Sequence, residues 1–260
     1  MKLTGQVAIV TGGGSGQGRA TALLFAQEGA KVVVGDINDK GAAETARLIN
    51  RNEGGQATAV KVDVTKTDEV HGMVDTALAH YGRLDILINN AGATLWKGIA
   101  ETTEAEWDRI LNTNLKSVFL CCKAAIPAMR KSGGGSIVNI ASVAGLVGLP
   151  QHFAYCAAKA GVIHLTKSLA LDHGRENIRI NCICPGGVRT PMLNEVIDIN
   201  DPAQVERVAR QHALGRIAEP EEIARVSLFL CSPDASFMTG AAVPVDGGTA
   251  AGRMEQVHSR

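Results

Sequence analysis

The sequence predicts a doubly wound α/β fold, a mostly parallel seven-stranded sheet with helices on both faces. Three observations carry this prediction. Short β-branched runs alternate with longer, helically spaced segments along the chain, the β-α-β order of a parallel sheet. Runs such as Val32-Val33-Val34 and Ile86-Leu87-Ile88 are apolar throughout rather than alternating, as strands covered on both sides must be. Glycine supplies 29 of the 260 residues, above the usual ~7%, and that excess asks for tight backbone turns.

The elements follow in order. Strands are expected at 7–10, 31–34, 57–62, 84–88, 136–140, 178–182 and 242–245, where β-branched and aliphatic residues cluster. Helices are expected at 20–28, 68–80, 104–130, 153–172 and 220–231, where the apolar spacing is helical. No repeat, linker or low-complexity tract interrupts the series, so one domain is expected over 1–260. Its one long excursion is a polar stretch at 190–215, read as a substrate lid. The lid's second half, 201–210, has helical spacing, with Pro202 suited to a first turn.

Composition removes several function classes. Lys plus Arg (26) balance Asp plus Glu (26), so no basic field collects nucleic acid or an anionic membrane. No run approaches the ~18 apolar residues of a membrane span. The first residues lead directly into a strand, leaving no room for a signal peptide, and a cytoplasmic protein is expected. The six cysteines form no C-x-x-C pair and read as small buried hydrophobes. The seven histidines show no ligand spacing with Cys, Asp or Glu, so no metal site is expected.

Directly after the first strand comes Thr11-Gly12-Gly13-Gly14-Ser15-Gly16-Gln17-Gly18, followed by a helix-forming segment. Residues without Cβ let the backbone turn sharply and approach a pyrophosphate, and the N–H groups of the following helix stabilise the anion. Asp36 closes the second strand about twenty residues on, where a carboxylate accepts from the ribose hydroxyls of the adenosine and repels a 2′-phosphate. NAD is the cofactor expected. The lesser alternative for Asp36 is a turn or helix-capping residue.

These residues, with Asp63-Val64, Asn89-Asn90-Ala91-Gly92, Asn114, Ser142, Tyr155-x-x-x-Lys159 and Pro185-Gly186, resemble the short-chain dehydrogenase/reductase family. The likeness is to its single-domain branch of Rossmann-type fold and runs from about residue 3 to 248. It implies an oxidoreductase moving a hydride between a nicotinamide and a secondary alcohol or ketone.

The resemblance assigns catalytic roles to Asn114, Ser142, Tyr155 and Lys159. Four residues apart on a helix, Tyr155 and Lys159 share a face. A free phenol with pKa near 10 is a poor base at neutrality; a nearby ammonium and the positive nicotinamide ring are expected to lower it. Lys159 would also hold the nicotinamide ribose. Ser142 would orient the substrate oxygen, its alternative being a strand-end cap. Asn114 would interrupt its helix and hold a water of a proton relay, its alternative being a tolerated surface residue. Cofactor contacts are implied for Gly12, Ser15, Gly16, Gln17, Gly18, Asp36, Asp63, Val64, Asn89, Ala91, Gly92, Tyr155, Lys159, Pro185, Gly186, Val188 and Thr190. Asn89 and Asn90 could instead tie strands together.

Substrate choice is expected in 143–153 and in the lid. The first segment is mostly small and apolar before Gln151-His152, and His152 is either a pocket-facing imidazole or an exposed loop residue. Arg207 and Arg210 could clamp an anionic substrate, although a solvated helix face explains them better. The expected substrate is a polyol, sugar, cyclic alcohol or hydroxyacyl compound. The alternatives are an NADPH-dependent 3-oxoacyl thioester reductase and a non-catalytic nucleotide sensor. The resemblance also implies a homotetramer.

Overall fold

A computed structural model of the chain describes residues 1–252; the part of the polar tail from 253 onward, expected to fray or to reach a neighbouring subunit, lies outside the described residues. Seven strands form one sheet in the order β3-β2-β1-β4-β5-β6-β7, and every pairing is parallel. The strands are β1 (Val7–Thr11), β2 (Lys31–Asp36), β3 (Gln56–Lys61), β4 (Ile86–Asn89), β5 (Gly135–Ile140), β6 (Ile178–Pro185) and β7 (Ala242–Val245). Each overlaps its expected run; β6 continues three residues past 182, to Pro185.

The helices are α1 (Gly16–Gln27), α2 (Asp39–Asn50), α3 (Thr67–Tyr81), α4 (Glu104–Leu111), α5 (Ser117–Ser132), α6 (Phe153–His173), α7 (Pro191–Asn194), α8 (Pro202–Ala209) and α9 (Pro220–Cys231). α1 begins four residues earlier than the apolar spacing indicated, because the glycine turn itself forms its first turn. α2 was not indicated at all. Its buried residues Ala42, Thr45, Ala46 and Ile49 do fall at the helical spacing, but two alanines and a threonine leave that stripe only weakly apolar.

The helix expected over 104–130 is broken into α4, a π-helical turn at Asn112–Lys116, and α5. Asn114 lies in the break. Its Nδ2 donates to the carbonyl of Ile110, four residues back, at 2.9 Å. A side chain that takes the carbonyl the backbone would use widens the turn locally.

Two apolar layers sandwich the sheet. On one face α3, α5 and α6 pack through Met73, Val118, Met129 and Val162; on the other α1, α2 and α9 pack through Phe25, Ile49, Ile223 and Leu230. At ~25 cal/mol per Å² of apolar surface removed from water, these layers dominate the stabilisation. Five cysteines are buried within the fold as expected, while Cys156 is only half-buried. Between β1 and β4 the strand order reverses, and at that switch point the carboxyl ends of the strands open a crevice.

Candidate active site

That crevice is a cleft of about 900 Å³. At one end the glycine turn between β1 and α1 forms its floor. Gly16 has φ of +49°, in the left-handed region that favours glycine. A Cβ on Gly18 would stand 2.1 Å from the carbonyl oxygen of Gly12, so only glycine lets α1 start so close to the strand end. Gly18 shapes the turn from behind and does not itself line the cleft, whereas Gly12, Ser15, Gly16 and Gln17 do. Gln17 Oε1 is buried with no hydrogen-bond partner among the described residues. A turn that only glycine permits at the N-terminus of α1 fits a dinucleotide's pyrophosphate, and the orphaned Gln17 acceptor beside it suits a donor such as a ribose hydroxyl or an amide N–H.

Asp36 lies at the end of β2 and lines the same region. Its carboxylate accepts from the Gly14 and Asn38 backbone N–H groups, each at 2.8 Å. It is therefore a turn residue as well as a cleft residue; the cap of α2 is Asn38, which accepts from Gly41 N. Arg19 does not reach into the cleft as a free cation, since it donates to the Gly14 carbonyl and to Thr45. Asp63 and Val64 line the cleft beside Asp36, and the Asp63 carboxylate turns back onto Thr65.

Along the middle of the cleft run Ala91 and Gly92, after β4. Thr11 accepts from Asn90 and Ala91 through its hydroxyl, and Asn90 donates back to the Thr11 and Gly12 carbonyls, which locks β4 to the glycine turn. Asn89 is placed differently from the expected cofactor contact. Its side chain is buried away from the cleft, donating to Asn139 at 2.8 Å and to Cys122. Asn89 and Asn139 are register partners on β4 and β5; because side chains on a strand alternate in direction, Asn89 points into the layer beneath the sheet. From Asn139 the chain of bonds continues to Thr166 on α6.

Pro185, Gly186, Val188 and Thr190 line the far end, after β6. A Cβ built on Gly16 would come within 3.2 Å of Thr190, so the root of the lid rests on the glycine turn. The lid then crosses the cleft with Met192, Leu193 and Val196. Arg207 and Arg210 face solvent outside it, Arg210 pairing with Glu206 at 3.1 Å.

Ser142, Tyr155 and Lys159 meet at the centre. Ser142 follows β5, and its hydroxyl accepts from Ala144 N at 3.1 Å. Tyr155 and Lys159 share one face of α6; the Lys159 ammonium lies 5.5 Å from the phenol ring centroid and donates to the Ile140 carbonyl at 2.7 Å. Burial dominates both groups. It pushes Tyr155 up to about 12, opposed by the adjacent Ser142 hydroxyl, and pushes Lys159 down to about 8. Burial is the largest cause in both, because a low-dielectric site disfavours the phenolate and the ammonium alike.

Asn114 is fully buried, not a surface residue. It does not line the cleft but braces it: Nδ2 donates to the Ala93 carbonyl and Oδ1 accepts from Ala93 N. A Cβ on Gly92 would lie 2.9 Å from Asn114 Oδ1 and 3.8 Å from Lys159 Nζ, which places both polar groups beside one glycine. His152 lines the cleft, its ring centroid 6.2 Å from that of Tyr155. Trp96, Arg109, Met192 and His212 also line it. No motif marked them, because they converge only when the loop after β4, α4, and the lid close over the strand ends. Among the described residues no group of three His, Cys, Asp or Glu is arranged for a metal, and no helix is long and apolar enough to cross a membrane.

A family model described as enoyl-(acyl carrier protein) reductase matches residues 12–250. The chain is 40% identical over 250 residues to 3-oxoacyl-(acyl-carrier-protein) reductase of Thermotoga maritima, covering 95% of this chain and 99% of that one. It is 41% identical over 247 residues to cyclopentanol dehydrogenase of Comamonas testosteroni, covering 95% and 98%. The solved structure of a 7α-hydroxysteroid dehydrogenase complexed with NADH and 7-oxo glycochenodeoxycholic acid superposes with a TM-score of 0.89 at 38% identity, covering 95% of each chain. Fold, cleft and these relatives agree: the chain belongs to the short-chain dehydrogenase/reductase family of nicotinamide-dependent oxidoreductases.

Proposed function

We propose that the chain is an NAD-dependent dehydrogenase of secondary alcohols, with Tyr155 as general acid/base. The observation that carries this reading is the convergence of Tyr155, Ser142 and Lys159 in one cleft whose other end is a glycine cradle closed by Asp36. Gly12, Ser15, Gly16 and Gln17 would hold the pyrophosphate, Asp36 the adenosine ribose, Asp63 and Val64 the adenine, and Lys159, Pro185, Gly186, Val188 and Thr190 the nicotinamide end. The bound cofactor supplies the hydride acceptor or donor.

In alcohol oxidation Tyr155 takes the hydroxyl proton of the substrate at its phenolic oxygen; in ketone reduction the phenol gives that proton back. Ser142 hydrogen-bonds the same substrate oxygen and fixes it beside the phenol. Lys159 in its ammonium form favours the phenolate. Asn114 acts as a positioning residue, holding Ala93 and the π-helical turn beside Gly92.

This reading treats residues 1–260 as one domain with its lid at about 190–215, in a cytoplasmic homotetramer. Phe119, 47% exposed on α5, supports a subunit contact on that helix. A second reading, a 3-oxoacyl thioester reductase using NADPH, is favoured by the Thermotoga relative, and Asp36 opposes it. Initial rates with NAD and with NADP over secondary alcohols, polyols, aldoses and hydroxyacyl thioesters test both. Turnover with NAD that vanishes in Tyr155→Phe is expected; thioester turnover with NADP alone would replace the first reading by the second.

A further inference from the structure

We infer that Trp96 is a specificity-determining residue, whose indole forms an apolar shelf selecting compact, ring-shaped secondary alcohols over polyhydroxylated ones. The inference rests on the alcohol-dehydrogenase reading above and names its substrate class.

The shelf is built by two segments that clasp at the cleft wall. Trp96 follows β4 and Gln151 precedes α6. The indole N–H of Trp96 donates to the Gln151 side-chain oxygen, and Lys97 N donates to the Gln151 carbonyl at 2.8 Å. Gln151 holds this position with φ of +59°, a conformation that side chains other than glycine's seldom adopt. Strained backbone of this kind persists where its surroundings fix it, and it concentrates at ligand sites.

The clasp sets three rings in succession. The Trp96 and His152 centroids are 4.8 Å apart, and those of His152 and Tyr155 are 6.2 Å apart. The indole thus stands one ring beyond the imidazole that neighbours the proposed acid/base. It remains 48% exposed although it lines the cleft, so a large apolar surface is available to a ligand. Leu149, Pro150, Met192, Leu193 and Val196 complete an apolar enclosure. Met192 reaches toward the reacting centre, its Cε 3.7 Å from where a Cβ on Gly92 would lie.

Thr94, Arg109, Asn112 and Thr113 also line the cleft, with Arg109 turned onto the Thr94 carbonyl. The Trp96 N–H and the Gln151 amide oxygen satisfy each other. His152 Nδ1 lies 3.1 Å from the Pro150 carbonyl; since a carbonyl only accepts, Nδ1 carries the proton and Nε2 is left as an acceptor. Ser142 and Tyr155 serve the reacting oxygen. Hydroxyls of a sugar or polyol laid against the indole, Leu149 and Met192 would lack partners there, which is unfavourable. An alicyclic body matches the enclosure by shape and by polarity, laying its face on the indole.

The test compares cyclohexanol, 2-butanol and sorbitol as substrates of the native enzyme, Trp96→Ala and Trp96→Phe, with NAD affinity measured in parallel. Cyclohexanol is expected to be the best substrate of the native enzyme. Trp96→Ala is expected to raise its KM by about tenfold or more, the scale on which apolar pockets discriminate. The KM for 2-butanol and the NAD affinity should move less than about threefold, and Trp96→Phe should recover most of the loss. Preference for sorbitol, or equal losses on all substrates, would overturn the shelf.

A binding measurement separates this inference from the reading it rests on. Trp96 and Trp107 are the two tryptophans of the chain, so Trp107→Phe leaves Trp96 as the fluorescent reporter. Saturable quenching by cyclohexanone is expected and requires no turnover; a flat titration overturns the shelf. Persistence of turnover in Tyr155→Phe would instead overturn the catalytic reading.

Discussion

The imidazole of His212 accepts at Nε2 from the backbone N–H of Gly187 at 2.9 Å, while its Nδ1 meets the Val208 carbonyl at 2.9 Å. Those two partners fix one tautomer, because a carbonyl requires a donor and an N–H requires an acceptor. The ring is 5% exposed and fills a space bounded by Gly186, Gly187 and Gly247, where added Cβ atoms would come within 2.7 to 3.2 Å of it. It joins the end of the lid to the loop after β6 that lines the cleft.

Removing that ring should loosen both. His212→Ala leaves the Gly187 N–H without its acceptor, expected to cost about 1–3 kcal/mol of unfolding free energy, and to weaken cofactor binding. His212→Gln, which keeps an acceptor, should recover part of each. Urea unfolding and a cofactor titration check this; unchanged values in His212→Ala would show that the bond positions nothing.

Lys159 and Tyr155 give the fold a pH signature. Lys159, held down to about 8 by burial, has lost its proton in the fold over a range where the unfolded lysine, near 10.4, keeps it. Its contribution to stability therefore rises from about pH 8 to 10, by on the order of 2–3 kcal/mol. Over the same range four buried thiols pull the other way: Cys121, Cys122, Cys184 and Cys231 are held up in the fold and stay protonated while the unfolded thiols, near 8.5, ionise. Above pH 10 Tyr155, pushed up to about 12, adds to that fall. Denaturant midpoints across pH 7–11 for the native protein and Lys159→Met read the lysine out as their difference, which should grow in favour of the native protein from pH 8 to 10. A difference that stays constant over that range would show that burial does not hold Lys159 down.

Asp36 is expected to set the choice of cofactor. Asp36→Ala removes the carboxylate that would accept from the ribose, and charged hydrogen bonds of this kind are worth about 1.5–3 kcal/mol. The NAD-to-NADP ratio of kcat/KM should fall by about tenfold or more. A modest loss of stability should accompany it, since Gly14 and Asn38 lose their acceptor. An unchanged ratio in a folded variant would remove Asp36 from selectivity.

Asn89 separates structure from binding. Its hydrogen bond to Asn139, and that of Asn139 to Thr166, connect β4 and β5 to the helix that carries Tyr155. Asn89→Ala should destabilise the fold by about 1–3 kcal/mol while the cofactor dissociation constant stays within about twofold. A large loss of cofactor affinity at unchanged stability would return Asn89 to the binding site.

Much of this was legible in local pattern. The uniformly apolar runs of β1, β2 and β4 announced buried parallel strands, and the glycine turn after β1 announced an anion site, because both depend on residues adjacent in the chain. Tyr155 and Lys159 declared a shared helix face by their spacing. Where a polar side chain competes with the backbone the pattern misled: the apolar spacing of 104–130 runs through Asn114, yet its amide opens the helix into a π turn. The polar segment of α2 hid a helix whose stability comes from packing on the sheet.

By itself, then, the sequence determined the layered α/β fold, the glycine cradle with Asp36, and the Tyr155–Lys159 pair, since periodicity and short-range spacing encode them. Tertiary structure alone decided which way Asn89 points, how deeply Tyr155 and Lys159 are buried, and that Trp96, Met192 and His212 gather around one cleft. These outcomes depend on desolvation and on contacts between segments far apart in the chain, and neither quantity is written in the order of neighbouring residues.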